Sequence, residues 1–300
     1  MSTLLAATVA TLVFCAPGYP GGAGDAQPFV DQFAGAAVKA AGWPAGSLAA
    51  IYDPTDDGSV AKLGSTDTVL AFVPYPFFVQ HGAQFHMTPL VQADVAGTGT
   101  QQKWTLVAKA GGASAPAALA GYTILSVAGY APDFVRHSAL ESWTLPADVK
   151  IQSTGQILSA LRRVANGEHS VALLDQPQAT ALATLPFGND LKAVMQSPAL
   201  PVALIVVVDG RVQAPRAKAL QAALLKMGRG GEGSDVLSQL RLQGFVMPQV
   251  PGGGAASAGG AGSAGGVGSA GGVASGGGAV RLVAGQAGAG QSTAGRSPGH

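Results

Sequence analysis

The sequence is most informative about the fold at Ser197-Pro198-Ala199-Leu200-Pro201, which runs directly into Val202–Val208 (VALIVVV). Every residue of the second segment is apolar, and most of them are β-branched. A short apolar run of this composition predicts a buried strand. The chain therefore contains a sheet with a covered face, and the segments before this strand indicate which type of sheet it is.

Strand and helix patterns alternate through the first third of the chain. The predicted strands are Val9–Cys15, Leu48–Tyr52 and Val69–Val73, and the predicted helices are Pro28–Ala41 and Phe77–His81, with a short helical turn at Gly58–Leu63. Strands that alternate with helices are typical of a parallel α/β layer.

A second series of strands and helices follows. Its predicted strands are Lys103–Lys109, Tyr122–Val127, Ser170–Leu174 and Leu191–Met195. Gln156–Asn166 is predicted to be an amphipathic helix with Ile157, Leu158, Leu161 and Val164 on its inner face, ended by Gly167. Helices at Arg216–Met227 and Asp235–Leu242 complete the pattern after the buried strand.

Composition separates the body of the chain from its C-terminal tail. The chain has 300 residues, enough for about two domains or lobes at roughly 150 residues each. Of 44 glycines, 19 lie in residues 252–300. The segment 251–300 consists mainly of Gly, Ala and Ser and cannot bury enough apolar surface to order itself, so it is predicted to be a disordered tail.

Charge and cysteine content exclude several classes of protein. The formal net charge is +1, and no basic run provides the electrostatic footprint of a nucleic-acid-binding protein. The single cysteine, Cys15, excludes a disulfide framework and a multi-cysteine zinc site. The histidines are scattered without helical i,i+4 pairs and no Gly-x-Ser-x-Gly motif occurs, so neither a metal site nor a serine nucleophile is predicted.

The N-terminus has an apolar stretch, Leu4–Phe14, of a length that suits a signal peptide. No Lys or Arg precedes it, and its β-branched residues favour a first strand over an export signal. This observation leaves a cytoplasmic location open.

Four segments together resemble the type 2 periplasmic binding proteins, and within them the phosphate/phosphonate-binding group of ABC-transporter substrate-binding proteins. Each motif is short, and the resemblance depends on their order and spacing over about residues 7–248. They are the lobe entry Leu119–Ile124 (LAGYTI), the ligand loop Ser126–Tyr130 (SVAGY), the run Leu158–Asp175, and the passage Ser197–Pro201 (SPALP).

The resemblance implies a two-lobed α/β fold in which each lobe is a mixed sheet flanked by helices. Lobe 1 would comprise residues 7–100, lobe 2 residues 101–196, and residues 197–248 would return to lobe 1. The two crossing segments, near Thr100–Lys109 and Ser197–Val206, would act as the hinge. The resemblance also implies a periplasmic location.

Candidate ligand contacts come from both lobes. Loops at the carboxyl ends of strands bind ligands in open α/β sheets, which selects Tyr19 and Tyr75 in lobe 1. In lobe 2 the candidates lie before helix starts or at a strand end, where amides, hydroxyls and a carboxylate collect: Ser126, Gly129, Tyr130, Thr154 and Asp175. Thr154 could instead be a plain helix N-cap, and Asp175 could cap the turn at Gln176-Pro177.

The predicted function is capture of a small ligand in an interlobe cleft, without catalysis and without a cofactor or metal. The expected ligand is a small oxyanion such as phosphate or a phosphonate, although the candidate loops contain no lysine or arginine to neutralise it. The expected partner is an ABC permease or a sensor, and the protein is expected to be a monomer. Two alternatives stay open: an enzyme on the same fold, such as a lyase or synthase acting on a small carboxylate, and a binding module without a transport role.

Overall fold

The structure is a computed structural model that describes residues 9–19, 21–228 and 233–251. The predicted tail, apart from Pro251, and the start of the apolar N-terminal stretch lie outside the described residues. The elements up to the first crossing are β1 (Ala10–Cys15), α1 (Ala23–Ala40), β2 (Leu48–Asp53), α2 (Asp56–Leu63), β3 (Thr68–Pro74), α3 (Tyr75–His81) and β4 (Thr88–Val95).

The remaining elements form a second group and a return. The second group comprises β5 (Gln101–Gln102), β6 (Thr105–Lys109), β7 (Thr123–Ser126), α4 (Pro132–Phe134), which continues as a π-helical turn over Val135–Ala139, β8 (Lys150–Ser153), α5 (Ile157–Ala165), β9 (Ser170–Leu174), α6 (Gln176–Ala181) and β10 (Leu191–Gln196). The return comprises β11 (Leu200–Pro201), β12 (Ala203–Val207), α7 (Ala214–Leu224), α8 (Ser234–Gln239) and β13 (Leu242–Val246). Single 3-10 turns occupy Pro116–Leu119, Leu182–Thr184 and Gly188–Asp190.

These strands form two mixed sheets, one in each lobe, as the sequence predicts. The lobe 1 sheet has the order β13-β4-β12-β3-β1-β2, with β2, β1 and β3 parallel and β12 antiparallel to both of its neighbours. The lobe 2 sheet has the order β10-β6-β9-β7-β8, with β9, β7 and β8 parallel. The strand predicted from VALIVVV is β12, and all its residues are buried.

A two-stranded ribbon joins the lobes where the chain crosses between them. β5 and β11 pair antiparallel, with Leu200 opposite Gln102. Beside the ribbon, the Trp104 amide donates to the Ser197 hydroxyl oxygen at 2.9 Å, and the Ser197 amide donates to the Trp104 carbonyl oxygen at 2.8 Å. The two crossing segments predicted as a hinge are therefore hydrogen-bonded to each other.

Three details differ from the sequence predictions. α1 begins at Ala23, so Pro28 lies inside the helix instead of starting it. β4 was not predicted, because Pro89 and the buried Gln92 interrupt its apolar pattern. In the structure the Gln92 side chain donates to the Thr100 carbonyl and accepts from the Gln249 amide. Leu158 is 47% exposed, because α5 buries Ala160, Leu161 and Val164 against the sheet, and the prediction that it faces inward is wrong.

Apolar packing connects the inner faces of the two lobes. One buried cluster contains Val73 and Phe77 from lobe 1 together with Trp104 and Phe134 from lobe 2, and the Trp104 and Phe134 rings meet edge-on at 5.1 Å. A second cluster lies on the opposite face of the lobe 1 sheet under α1, α7 and α8. Across the described ranges, no helix combines the length and apolarity that crossing a membrane would require.

Candidate functional site

The carboxyl ends of parallel strands in the two lobes lie against each other. The loop after β1 contacts the loop after β7 so closely that a Cβ on Gly18 would lie 2.3 Å from the Val127 carbonyl oxygen. Gly155, just before α5, is also close to this loop: a Cβ on Gly155 would lie 3.8 Å from the Gly18 carbonyl oxygen. Gly18 has φ +83°, a conformation that glycine adopts without strain. The lobes are therefore in contact, and the candidate cleft is closed at this point.

Three of the predicted site residues converge beside this contact: Tyr19, Tyr130 and Asp175. Burial, followed by the nearby Asp175 carboxylate, raises the pKa of the Tyr19 hydroxyl. Burial also raises the pKa of Tyr130 well above its ordinary value, with Tyr19, Asp56 and Cys15 adding to the effect. A lobe 1 tyrosine thus lies near both a lobe 2 carboxylate and a lobe 2 tyrosine.

Asp175 is a buried carboxylate at the N-terminal end of α6. Burial raises its pKa from 3.8 to about 6, and a hydrogen bond from the Gln178 amide opposes that rise. The Gln178 amide donates to Asp175 Oδ1 at 2.9 Å, and the Gln178 side chain accepts from the Asp175 amide at 3.2 Å. Asp175 is therefore the N-cap of α6 in a capping box, which is the alternative that the sequence left open.

Ser126 and Gly129 shape the loop after β7. The Ser126 hydroxyl donates to the Leu173 carbonyl at 2.7 Å and accepts from the Ala128 amide at 3.1 Å. Since its only proton is used, the hydroxyl cannot donate to an anion in this arrangement, and Ser126 positions the loop instead. A Cβ on Gly129 would lie 2.3 Å from the backbone of Gln152, so only glycine lets the loop approach β8 this closely.

Thr154 lies where β8 leads into α5. Its Oγ1 accepts from the Gln156 amide at 3.1 Å, and its own amide donates to the Ser126 carbonyl at 2.9 Å. The hydroxyl proton has no acceptor among the described residues. Thr154 therefore combines a local turn role with a free donor at the interlobe contact.

Tyr75 lies in the packed part of the interface. Its side chain is 3% exposed, and its ring contacts Phe134 edge-on at 6.1 Å and stacks near Phe78 at 6.1 Å. The prediction that Tyr75 covers a ligand is not supported by this placement, because the ring is enclosed by apolar side chains. Its position instead joins α3 of lobe 1 to α4 of lobe 2.

Sequence reasoning did not select the N-terminal end of α2, which borders Tyr130. Asp56 Oδ1 lies 2.9 Å from His81 Nε2, and the fully buried Ser59 hydroxyl lies beside the Cys15 thiol. Cys15 lies next to these groups, and burial raises the pKa of its thiol to about 12, so it is a poor nucleophile at neutral pH. The available signal was Thr55, an N-cap residue two positions after Asp53, which ends β2.

Metal-ligating side chains do not cluster in the part of the chain that the structure describes. No group of three or more His, Cys, Asp or Glu side chains there is close enough to hold an ion. At the end of β2 burial raises the Asp53 pKa, but hydrogen bonds from Lys62 and Thr55 outweigh it and lower the pKa. The Asp53 carboxylate therefore already accepts hydrogen bonds from Lys62 and Thr55 of its own lobe.

The fold and the contact between carboxyl strand ends define a class: two-lobed substrate-binding proteins. XAC2383 from Xanthomonas citri, solved bound to chloride ion, superposes with a TM-score of 0.61 at 15% identity, covering 81% of this chain and 92% of that one. The same protein bound to ATP gives 0.60 at 13% identity, with the same coverage of both chains. PhnD1 from Prochlorococcus marinus in complex with methylphosphonate gives 0.52 at 14% identity, covering 80% of this chain and 93% of that one.

The sequence itself identifies the family. Residues 62–249 match the family described as ABC transporter, phosphonate, periplasmic substrate-binding protein. The chain belongs to this family, which confirms the resemblance stated from the motifs. No curated protein matches the sequence significantly. The family consists of transporter components and not of enzymes, so the lyase or synthase alternative falls away.

Proposed function

We propose that this solute-binding protein captures a small oxyanion, with a phosphonate as the leading candidate, between its two lobes. The observation that carries the proposal is the set of free donors where the loop after β1 contacts the loop after β7. The amides of Gly18, Tyr130 and Gly155 donate to no acceptor among the described residues, and the Thr154 hydroxyl proton is free there too. Gly155 also precedes α5, whose N-terminal dipole favours an anion.

The proposed site holds its anion without a cationic side chain. Amides and hydroxyls replace the lysine or arginine that the candidate loops lack. The buried Asp175 disfavours a second negative charge near Tyr19, and it can accept from a hydroxyl or ammonium group of the ligand. A ligand with an anionic head and a donor group or an uncharged end is thus favoured over a multiply charged anion.

Ligand contacts from both lobes favour the closed arrangement over an open one. We propose lobe boundaries at 7–100, 101–196 and 197–248, with the ribbon of β5 and β11 as the hinge. The closed monomer would deliver its ligand to an ABC permease in the periplasm, in keeping with the family.

A thermal-shift and calorimetric screen tests the proposal. Methylphosphonate, phosphate, sulfate and acetate are compared, and one of the first two is expected to stabilise the protein by about 2.7 kcal/mol at 100 times its dissociation constant. Thr154→Val is expected to weaken binding about tenfold, since one hydrogen bond to a charged group contributes roughly 1.5–3 kcal/mol.

Thr180→Val is the matched control, because the Thr180 hydroxyl donates to its own helix at the Gln176 carbonyl. It is expected to leave binding unchanged. Absence of stabilisation by every anion, or equal affinity of the Thr154 and control variants, would contradict the proposed site.

A further inference from the structure

Aromatic side chains connect two helices that face each other across the lobes. α3 of lobe 1 packs against α4 of lobe 2. The Tyr75 ring meets the Phe134 ring edge-on at 6.1 Å between centroids, and the Phe77 ring lies 6.5 Å from the Tyr130 ring. Phe77 and Phe134 are fully buried, and Tyr75 nearly so. We call this apolar contact of Tyr75 and Phe77 with Tyr130 and Phe134 the clasp.

A pair of hydrogen bonds lies at the rim of the clasp. Gln80 Oε1 of α3 accepts from the Asp133 amide of α4 at 3.1 Å, and Gln80 Nε2 donates to Asp133 Oδ2 at 3.5 Å. The Asp133 amide belongs to the first turn of α4, where amides have no partner within their own helix. A lobe 1 side chain therefore satisfies the start of a lobe 2 helix, and opening of the lobes would break both bonds.

The clasp stabilises the closed arrangement through contacts between protein groups alone. Opening would expose the Tyr75 and Phe134 rings on the faces where they now meet. Burial of one large apolar side chain shifts an equilibrium by about tenfold or more. Soluble proteins also rarely expose a contiguous apolar patch, and the open form would expose one on each lobe. The closed arrangement is therefore favoured before any ligand contact contributes.

We propose that the clasp holds the ligand-free protein closed, so that a ligand enters only during brief openings of the lobes. The inference deepens the proposed function, and its binding predictions rest on that function. Because the clasp is intact both before and after binding, weakening it changes the rates of binding and release more than the affinity. In a protein that is open at rest, the same change would weaken the affinity by its full amount.

Spin-label distances test the resting state of the protein without any ligand. Labels are attached at Ala61→Cys in α2 and Ser159→Cys in α5, which are exposed positions in different lobes, whereas Cys15 is buried and stays unlabelled. With the clasp intact, pulsed electron paramagnetic resonance is expected to give a single distance distribution at the separation seen in the structure. The double substitution Tyr75→Ala and Gln80→Glu is expected to add longer distances. Longer distances in the ligand-free protein with an intact clasp would overturn the proposal.

Gln80→Glu alone tests the effect of the clasp on ligand exchange. It places a second carboxylate beside Asp133, and repulsion of like charges at about 4 Å raises the open population about fivefold. Calorimetry gives the dissociation constant of methylphosphonate, and phosphorus NMR exchange spectroscopy gives its dissociation rate. Both the dissociation and the association rate are expected to rise about fivefold, while the dissociation constant changes by less than about twofold. Gln243→Glu, at an exposed position of β13, is the matched control and is expected to change neither rate.

The outcomes separate the clasp from the proposed function. A weaker affinity of Gln80→Glu with an unchanged association rate, or unchanged rates in both directions, would overturn the clasp while the anion site stands. If methylphosphonate and phosphate both fail to bind, the proposed function is overturned, and the label distances still decide whether the protein rests closed. If the double variant does not fold by circular dichroism, the label distances of the protein with an intact clasp decide alone.

Discussion

At the residue scale, Asp175 combines a role in the fold with a position in the proposed site. Its carboxylate caps α6, which stabilises the helix start, and its burial raises its pKa to about 6. A cap on an exposed helix would keep an ordinary pKa.

The raised pKa of Asp175 predicts a specific dependence of stability on pH. The folded state holds the proton more tightly than the unfolded chain, so the carboxyl contributes stability that is complete below pH 3.8 and lost as pH rises through about 6. Asp175→Asn keeps an acceptor for the Gln178 amide but does not titrate. Urea unfolding is expected to show the variant gaining on the unmodified protein between about pH 4 and 6, by up to roughly 3 kcal/mol.

Parallel pH profiles of the two proteins would contradict this prediction. Asp25→Asn is the control, because Asp25 is an exposed acid in the first turn of α1. Its profile should follow that of the unmodified protein over the same range.

At the scale of elements, the ribbon of β5 and β11 depends on hydrogen bonds from outside its two short strands. Each strand has only two residues, too few to be stable alone. Ser197 adds the reciprocal pair of hydrogen bonds with the Trp104 backbone, and Gln92 holds the Thr100 carbonyl at 2.7 Å. Buried side chains therefore stabilise the crossing of the chain between lobes.

Ser197→Ala is expected to destabilise the protein by about 1–3 kcal/mol, because the buried Trp104 amide loses its acceptor. The free energy of unfolding from urea titration measures the loss. Ser153→Ala, at an exposed position of β8, is expected to change it by less than about 0.5 kcal/mol. Equal effects of the two substitutions would show that the crossing does not depend on Ser197.

At the scale of the whole molecule, the lobes meet over a packed part and an unpacked part. In the packed part, Tyr75 contacts Phe134, and Gln80 of α3 accepts from the Asp133 amide of α4 at 3.1 Å. In the other part, the backbone of Gly18 approaches Val127 beside free amides. The first part stabilises the closed arrangement, and the second provides the proposed ligand site.

Gly18→Ala is expected to weaken closure, because its Cβ would collide with the Val127 carbonyl oxygen across the interface. Gly42→Ala is the matched control: Gly42 also has a positive φ, +66°, but nothing lies within 4 Å of its Cβ position. Both variants should lose a similar, small amount of stability from backbone strain. Only Gly18→Ala should show an increased radius of gyration in small-angle X-ray scattering and weaker ligand binding.

A radius of gyration for Gly18→Ala equal to that of Gly42→Ala would contradict the role of Gly18 in closure. Equal ligand affinities of the two variants would do so as well.

Much of the fold follows from local patterns that the sequence displays. The apolar run at 202–208 predicted β12, the motifs from Leu119 to Pro201 predicted the family, and the alternation of strands and helices predicted two α/β lobes. These features could be predicted because burial of a strand or a helix face leaves a periodic apolar signal. β4 gave no such signal, because Pro89 and Gln92 depend on partners distant in the sequence.

The arrangement of the candidate site was decided by tertiary structure. The sequence marks Tyr19, Tyr130 and Asp175 as residues at strand ends, and packing of the two lobes brings them together. The sequence equally marked Ser126 and Tyr75. However, the Ser126 hydroxyl donates to the Leu173 carbonyl, and the Tyr75 ring is enclosed at the interface. Local sequence determines which groups reach an edge of a sheet, whereas long-range contacts determine which of them remain free to bind a ligand.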